Sequence, residues 1–236
     1  MASSKLPILM YHNIAPELGG GLTISKKKFE AQCKYLAAEG YQTHHFSELM
    51  TNQPLSAKKN CVITFDDGYV NQLDYAVPLL KQYHLKATFF IPLGYLGKTD
   101  QWNTGELSIM TVAQLRALPS ETIELAYHSF QHQKYNELSL EEISEDTKKC
   151  FDLTTEKKLK FTNALAYPYG KFPRKDPEKS QFFNLLENHG FKFGLRIGNR
   201  IEKFPFQNPF EVNRIDVKGE WSLLKFKRKL KIAKLF

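Results

Sequence analysis

Short apolar segments alternate with longer amphipathic segments along almost the whole chain. Buried strands are predicted where short segments consist mostly of apolar residues, as in 61–65 and 87–91. Helices are predicted where apolar residues recur every three or four positions, as in 25–40. Strands that alternate with helices form parallel sheets, and no glycine-rich phosphate-binding motif follows any of these strands. The pattern therefore favours an α/β barrel over an open nucleotide-binding sheet.

The chain has 236 residues, a length that suits one sizeable core, so we expect a single domain over 1–236. The three scattered cysteines argue against a disulfide framework. Strands are predicted at 7–11, 41–45, 61–65, 87–91, 122–127, 163–167, 191–197 and 212–217. Helices are predicted at 25–40, 75–84, 111–118, 140–153 and 179–189, with a last one from about Ser222.

Polar or tightly turning residues follow four of the predicted strands. They are His12, the Asp-Asp-Gly segment 66–68, His128 with His132 four residues on, and the Pro-Tyr-Gly segment 168–170. Active sites of parallel α/β barrels lie at the carboxyl ends of their strands. This distribution therefore indicates a catalytic centre at one end of the barrel.

Two of these segments together carry the ligands of a possible metal site. Neighbouring side chains diverge at a strand end, so Asp67 can bind a cation while Asp66 faces water as a base. His128 and His132 share a face if they lie on a helical turn. Two imidazoles and a carboxylate leave coordination positions open for water and substrate. Either motif alone is often structural, but their combination favours the metal site.

The remaining candidates are assigned by position and chemistry. The turn around Tyr169 can aim a backbone N–H at an oxyanion, although an ordinary turn would have the same sequence. A histidine at a strand end can protonate a leaving amine, which is the role expected for His12.

These motifs resemble the polysaccharide deacetylases, the NodB-like carbohydrate esterase family four. The resemblance implies a distorted (β/α)7-type barrel over about 6–217, followed by a basic C-terminal helix at about 220–236. It implies hydrolysis of the N-acetyl group of an amino sugar, with release of acetate. The matching segments are 64–69 and 128–132 above all, with 9–12, 36–40 and 166–170.

The resemblance also implies the roles of individual residues. Asp67, His128 and His132 would hold a divalent metal ion, with Zn²⁺ expected and Co²⁺, Ni²⁺ or Mn²⁺ as alternatives. Asp66 would be the base, and the backbone N–H of Tyr169 would help to hold the oxyanion. With a sugar substrate, Trp102 and Tyr169 are candidate aromatic platforms for the sugar ring.

Two departures from the family pattern affect the other assignments. Many members carry an arginine that orients the base at the position of Ala166, and Arg214 is the expected substitute here. Many members also place the acid histidine in a C-terminal Leu-x-x-His motif, whereas no histidine follows His189 in this chain. The branch that resembles biofilm poly-N-acetylglucosamine deacetylases draws its acid from an N-terminal Met-Tyr-His strand, in a circularly permuted arrangement. His12 fits that arrangement and is expected to be the acid.

The formal charge is +8 at pH 7, and much of the excess lies in 225–231. A helix there has Leu223, Phe226 and Leu230 opposite its lysines. It would either dock on an anionic membrane surface or pack its apolar face on the barrel. Nucleic acid is not an expected partner, because the basic residues are not interleaved with stacking aromatics in a recognised module.

The N-terminus has no apolar run long enough for a signal peptide or a membrane span. We therefore expect a cytoplasmic protein, either free or membrane-peripheral, that acts on an N-acetylated glycan such as a nucleotide-linked or lipid-linked sugar. Two other functions stay open. The same site would serve a metallo-amidase acting on a non-sugar amide, and a barrel of this kind could bind carbohydrate without catalysis.

Overall fold

The computed structural model describes residues 4–51 and 53–232. Strands lie at Ser4–Leu6 (β1), Ile8–Tyr11 (β2), Asn13–Ala15 (β3), Thr23–Ser25 (β4), Gln42–Thr43 (β5), Asn60–Phe65 (β6), Ala87–Ile91 (β7), Ile123–Tyr127 (β8), Thr162–Ala166 (β9), Phe193–Ile197 (β10), Glu202–Phe204 (β11) and Val212–Asp216 (β12). Helices lie at Lys26–Ala38 (α1), Phe46–Leu49 (α2), Val77–Gln82 (α3), Val112–Arg116 (α4), Leu140–Glu156 (α5), Glu178–Asn188 (α6) and Leu223–Lys231 (α7).

Seven parallel strands close into a barrel. Their order is β2-β12-β10-β9-β8-β7-β6, and β6 pairs back with β2, where Val62 lies opposite Ile8. The first and last strands of the barrel are therefore neighbours, because β2 lies between β6 and β12. The predicted α/β fold, a distorted (β/α)7-type barrel in a single domain, is confirmed.

Side chains of the barrel strands alternate between two apolar cores, as the period of two of a β-strand requires. Members of the inner core, which fills the barrel, include Ile8, Val62, Phe90, Ala126 and Leu195. Members of the outer core, between the strands and the helices, include their sequence neighbours Leu9, Ile63, Phe89 and Leu125. By the same alternation, Thr64 and then Asp66 continue the inner face that Val62 begins on β6.

Several helices begin where side-chain caps satisfy their free backbone N–H groups. Ser25, Ser139 and Ser222 are the N-caps of α1, α5 and α7, and each hydroxyl accepts an N–H from the first turn. Thr111 and Gln114 form a capping box at the start of α4. The predicted starts at Ser25 and at about Ser222 are confirmed.

The predicted helix at 75–84 differs from the structure in its first turn. The segment begins as a π-helical turn at Gln72–Ala76 and continues as α3. Pro78 has no backbone N–H and cannot donate to the carbonyl of Asp74, so the wider turn accommodates the missing bond. The turn buries Gln72, whose side chain reaches the carboxyl end of the barrel.

Several short strands were not predicted, and the predicted strand at 41–45 is reduced to β5. His44 and His45 follow β5 as buried residues, and their ring nitrogens bond to the Asn60 side chain and to the Thr122 carbonyl. The additional strands β1, β3, β4 and β11 have three residues each and pair outside the barrel. Strands of that length are too short to show a period in the sequence.

The basic helix α7 packs its apolar side against the barrel unit. Phe226 and Leu230 are buried, and the Phe226 ring lies 6.4 Å from the ring of Tyr35 on α1. Two of the three apolar residues that suggested a membrane-docking face are therefore core residues. The helix was predicted to extend to 236. Its last part, 233–236, lies outside the described residues, as do residues 1–3. Within 4–51 and 53–232, no helix combines the length and apolar composition that crossing a bilayer requires.

We propose that α7 belongs to the folding unit of the barrel. Phe226→Ala removes a fully buried ring and should lower the free energy of unfolding by about 3–5 kcal/mol, measured by urea denaturation. Leu224→Ala is the control on the same helix, because Leu224 is 68% exposed and its loss should change stability by less than about 0.5 kcal/mol. Equal, small effects of both substitutions would contradict the proposal.

Candidate active site

Strained backbone is concentrated at the carboxyl end of the barrel. Asp67 (φ 72°), Ser129 (φ 64°), His132 (φ 53°) and Tyr169 (φ 57°) are four of the seven non-glycine residues with positive φ in the described part of the chain. Such a conformation costs about 1–3 kcal/mol and persists only where surrounding contacts fix it. These residues follow β6, β8 and β9, so three neighbouring loops converge on one site.

Asp67, His128 and His132 bring three possible metal-ligating atoms together at this end. Nε2 of His128 lies 3.5 Å from Oδ1 of Asp67, and Nε2 of His132 lies 3.2 Å from the same oxygen. The three ligand atoms lie within 4.8 Å of one another, and all three residues are buried. The structure therefore contains a buried Asp/His/His group that could bind a metal.

The hydrogen bonds around this group leave acceptor atoms facing one another. Nδ1 of His128 donates to the carbonyl of Ala166 at 2.8 Å, so Nε2 of the neutral ring keeps its lone pair. Oδ1 of Asp67 and Nδ1 of His132 are buried without a hydrogen-bond partner in the part of the chain that the structure describes. A carboxylate oxygen and an imidazole lone pair repel each other unless a cation lies between them.

The electrostatics of the group also suit a cation. Burial opposes the ionisation of Asp67, but the neighbouring His128 and His132 outweigh it and hold its pKa well below the usual range. Burial would lower the pKa of His128, but the charges of Asp66 and Asp67 outweigh it and raise that pKa. The carboxylates of Asp66 and Asp67 and the guanidinium of Arg214 give the site a formal charge of −2 + 1 = −1 when its histidines are neutral. A divalent ion fits this set of nitrogen and oxygen donors.

The two histidines lie on an irregular loop, so the helical turn suggested by their spacing is wrong. β8 ends at Tyr127, and 128–132 contain the left-handed residues Ser129 and His132. The hydroxyl of Ser129 accepts the N–H of His132 at 2.8 Å and closes the turn. The loop therefore brings both rings to one ion site by a route that helical spacing does not describe.

Asp146 on α5 supports this loop and was missed in the sequence. Its carboxylate accepts the backbone N–H of Phe130 at 2.8 Å and that of Gln131 at 3.0 Å. Burial raises the pKa of Asp146 in spite of these bonds. The sequence feature that could have identified Asp146 is its position on the apolar face of the predicted helix, between Ile143 and Cys150. An acid on a buried face needs a polar partner, so it indicates a contact with another segment.

Asp66 forms a buried bidentate ion pair with Arg214. Nη1 of Arg214 lies 2.6 Å from Oδ1, and Nη2 lies 2.7 Å from Oδ2. Nη1 also contacts the Thr64 hydroxyl at 3.3 Å. Burial opposes the ionisation of Asp66, but the Arg214 charge outweighs it and lowers the pKa of the carboxyl. Arg214, the residue expected to orient the base, thus contacts both oxygens of Asp66.

His12 and Asp66 are held next to each other by Gln72. Nε2 of His12 lies 3.9 Å from Oδ2 of Asp66. The side-chain amide of Gln72 donates to the His12 carbonyl at 2.8 Å and to the Asp66 carbonyl at 2.6 Å. Gln72 was also missed, because its π-helical turn carries no clear sequence pattern.

Trp102 and Tyr169 both contact the ring of His132. The Trp102 ring stacks on it at 4.3 Å with an interplanar angle of 27°. The Tyr169 ring meets it edge-on at 4.8 Å and is 44% exposed. The structure therefore places every predicted residue at one end of the barrel: His12, Asp66, Asp67, Trp102, His128, His132, Tyr169 and Arg214.

The profile of the polysaccharide deacetylase family matches residues 55–193, which include both loops of the Asp/His/His group. The chain belongs to the polysaccharide deacetylase family. The resemblance seen in 64–69 and 128–132 is therefore confirmed.

Curated relatives of the chain include a Bacillus subtilis protein named as a polysaccharide deacetylase, YxkH. It is 33% identical over 198 residues, which cover 81% of this chain and 64% of that protein. The poly-beta-1,6-N-acetyl-D-glucosamine N-deacetylase of Staphylococcus epidermidis is 28% identical over 206 residues, covering 84% of this chain and 69% of that protein. The chain thus spans roughly two thirds of the length of these relatives.

Solved structures show the same fold. The Streptococcus pyogenes deacetylase PplD, in complex with acetate, superposes with a TM-score of 0.81 at 23% identity over 97% of this chain and 99% of that chain. IcaB from Ammonifex degensii superposes with a TM-score of 0.77 at 22% identity over 98% of this chain and 97% of that chain.

The ion pair of Asp66 and Arg214 should be strongly coupled in stability. Arg214→Met leaves a buried carboxylate unpaired and should cost about 3–5 kcal/mol of unfolding free energy. The same substitution in an Asp66→Asn background should cost about 2 kcal/mol less, measured by urea denaturation of chelator-treated proteins in a double-mutant cycle. Additive effects of the two substitutions would show that the pair is not coupled.

Proposed function

We propose that the protein is a metal-dependent hydrolase that removes N-acetyl groups from an amino sugar and releases acetate. The observation that carries this proposal is the buried Asp67, His128 and His132 group beside the ion pair of Asp66 and Arg214. The first can hold a metal ion, and the second fixes a carboxylate next to it. Membership of the polysaccharide deacetylase family supports the reaction class.

Asp67, His128 and His132 are the proposed ligands of a Zn²⁺-type ion. When bound, such an ion supplies Lewis-acid activation of water and of the acetamide carbonyl. Co²⁺, Ni²⁺ and Mn²⁺ suit the same donors, since ligand type alone does not select one of them. The bond from His128 to the Ala166 carbonyl presents Nε2 as the ligand atom.

Asp66 is the proposed base, which takes a proton from the attacking water. Its lowered pKa keeps it ionised near neutral pH. Arg214 contacts both carboxylate oxygens and so fixes the plane of the carboxylate. Oδ2 lies 3.9 Å from Nε2 of His12 and 3.9 Å from Nε2 of His128, so it borders the space between the acid and the ligands.

His12 is the proposed acid, which protonates the amide nitrogen as the carbon–nitrogen bond breaks. The sugar then leaves as a free amine and the acyl group as acetate. Gln72 fixes the spacing of the acid and the base, because its amide bonds to the carbonyls of both His12 and Asp66. The backbone N–H of Tyr169, on its left-handed turn, is the proposed donor to the oxyanion.

A groove beside the ligand group offers space for the glycan. Its volume is about 770 Å³. The residues that line it include Tyr95, Trp102, Gln131, His132, Lys134 and Tyr169. The side-chain ring of Tyr169 is exposed enough to meet a sugar face. Since the S. epidermidis relative is named for poly-β-1,6-N-acetyl-D-glucosamine, oligomers of N-acetylglucosamine are the first substrates to test.

Acetate release from N-acetylglucosamine oligomers tests the proposal. The Zn²⁺-loaded or Co²⁺-loaded protein should release acetate, and chelation should abolish the release. Asp66→Asn should lower kcat by about 10²–10⁴-fold, because it removes the base. It should still bind about one equivalent of metal, since Asp66 is not a proposed ligand, whereas His128→Gln should lose binding. Metal content is measured on each dialysed protein.

Other outcomes would redirect the assignment. Turnover of simple non-sugar amides, without any from N-acetyl sugars, would identify a metallo-amidase and overturn the sugar substrate. Glycan binding without metal-dependent turnover would identify a carbohydrate-binding barrel and overturn the catalytic proposal.

A further inference from the structure

The two histidines of the ligand group are oriented by different forces. The ring of His128 is fixed by the hydrogen bond from Nδ1 to the Ala166 carbonyl at 2.8 Å. His132 has no equivalent bond, because its Nδ1 is buried without a hydrogen-bond partner among the residues that the structure describes. A metal-ligating histidine needs a second contact to fix the orientation of its ring. For His132 that contact has to come from packing.

Aromatic rings surround His132. Trp102 stacks on it at 4.3 Å and 27°, so the two planes are nearly parallel. Tyr169 meets it edge-on at 4.8 Å, and the ring of His128 lies at 4.8 Å and 70°. A flat stack restricts rotation about the last side-chain bond of His132 more than an edge contact does. The Trp102 stack is therefore the contact that sets the plane of the His132 ring.

Trp102 is itself held in place by a closed turn. Asp100 is fully buried, and its Oδ1 accepts the N–H of Leu107 at 2.9 Å. Oδ2 of Asp100 accepts from the Asn103 side chain at 3.1 Å, and the Asp100 carbonyl accepts the N–H of Gly105 at 3.2 Å. These bonds span both sides of Trp102 in the sequence, so its ring is presented on a preorganised support.

A second connection joins this support to the histidine loop. The Tyr95 ring meets Trp102 edge-on at 4.7 Å. The neighbouring Gly94 donates its N–H to the Phe130 carbonyl at 2.9 Å, and a Cβ at Gly94 would lie 2.5 Å from that oxygen. Only glycine permits this approach without a shift. The segment that carries Tyr95, on which Trp102 packs, is thus joined to the histidine loop through a backbone hydrogen bond.

We propose that Trp102 is a positioning residue, which holds the His132 ring so that Nε2 faces the metal. The inference rests on the proposed function, because it needs a metal at Asp67, His128 and His132. It differs from the sequence-based interpretation of Trp102 as a platform for a sugar ring, because one face of the Trp102 ring is covered by the His132 ring. Trp102 then acts on metal affinity and on the chemical step, and Tyr169 stays the aromatic contact for the sugar.

The first test is Zn²⁺ affinity, measured by calorimetry on apo protein. Trp102→Leu removes the stacked ring and should weaken Zn²⁺ binding by about tenfold or more. Trp102→Phe keeps a smaller flat ring and should recover most of the affinity. The matched control is Trp221→Phe. Trp221 is buried, and the lysines that lie over its ring, Lys225 and Lys229, belong to α7, so this variant should bind Zn²⁺ like the wild type. Unchanged affinity in Trp102→Leu would overturn the inference.

The second test uses fluorescence and does not depend on the disruptive variant. The chain has two tryptophans, so Trp221→Phe leaves Trp102 as the only one. Its emission should change during a Zn²⁺ titration and reach its end point at one equivalent, because the ring stacks on a ligand. In Trp102→Phe, the emission of Trp221 should not change. An unresponsive Trp102 in protein that binds Zn²⁺ would also overturn the inference.

The third test separates positioning from sugar binding. At saturating Zn²⁺, Trp102→Leu should lower kcat for N-acetylglucosamine oligomers and leave KM within about twofold. A raised KM with unchanged kcat would overturn the inference and restore the sugar platform. If neither the wild type nor Trp221→Phe binds Zn²⁺, the proposed metal-dependent function itself is wrong, and this result is distinct from a defect that only Trp102→Leu shows. If Zn²⁺ binds but no sugar is deacetylated, the affinity and fluorescence tests still decide the role of Trp102.

Discussion

The buried ion pair of Asp66 and Arg214 is the interaction on which the rest of the site depends. Removing two charges from water costs several kcal/mol for each ion, so both contacts of the pair have to form. The guanidinium also lies over the Phe90 ring at 5.4 Å.

This pair also separates the tasks of two adjacent carboxylates. Arg214 neutralises Asp66 inside the barrel, which leaves the negative charge of Asp67 for a cation. The backbone enforces the separation, because Asp67 and Gly68 both have positive φ and turn the chain sharply after β6. A Cβ at position 68 would lie 2.9 Å from Cδ1 of Ile91, so a side chain there would require Ile91 to shift, and the φ of 65° itself favours glycine. Sequence neighbours thus face different partners within a few ångströms.

The sequence predicts the parts of this structure that depend on local pattern. The strand at 87–91 has the predicted bounds, because strands covered on both faces read as uninterrupted apolar runs. The candidate residues at strand ends follow from that assignment. The conformation of the turn at 128–132 does not follow from local pattern. Its backbone N–H groups donate to Asp146, which lies on α5, so the turn depends on a contact with a distant segment. Contacts such as the Trp102 stack join segments about thirty residues apart, and no local period encodes them.

Closure of the barrel divides the site into two halves with different origins. The ligands come from β6 and β8, in the middle of the chain. His12 follows β2 and Arg214 lies on β12, near the two ends of the chain, and both come close to the end of β6 because β2 pairs with β6 on one side and with β12 on the other. The proposed ligands therefore come from the central strands alone. The half that orients the base and supplies the acid requires the two ends of the chain to meet, so barrel closure couples complete folding to a complete site.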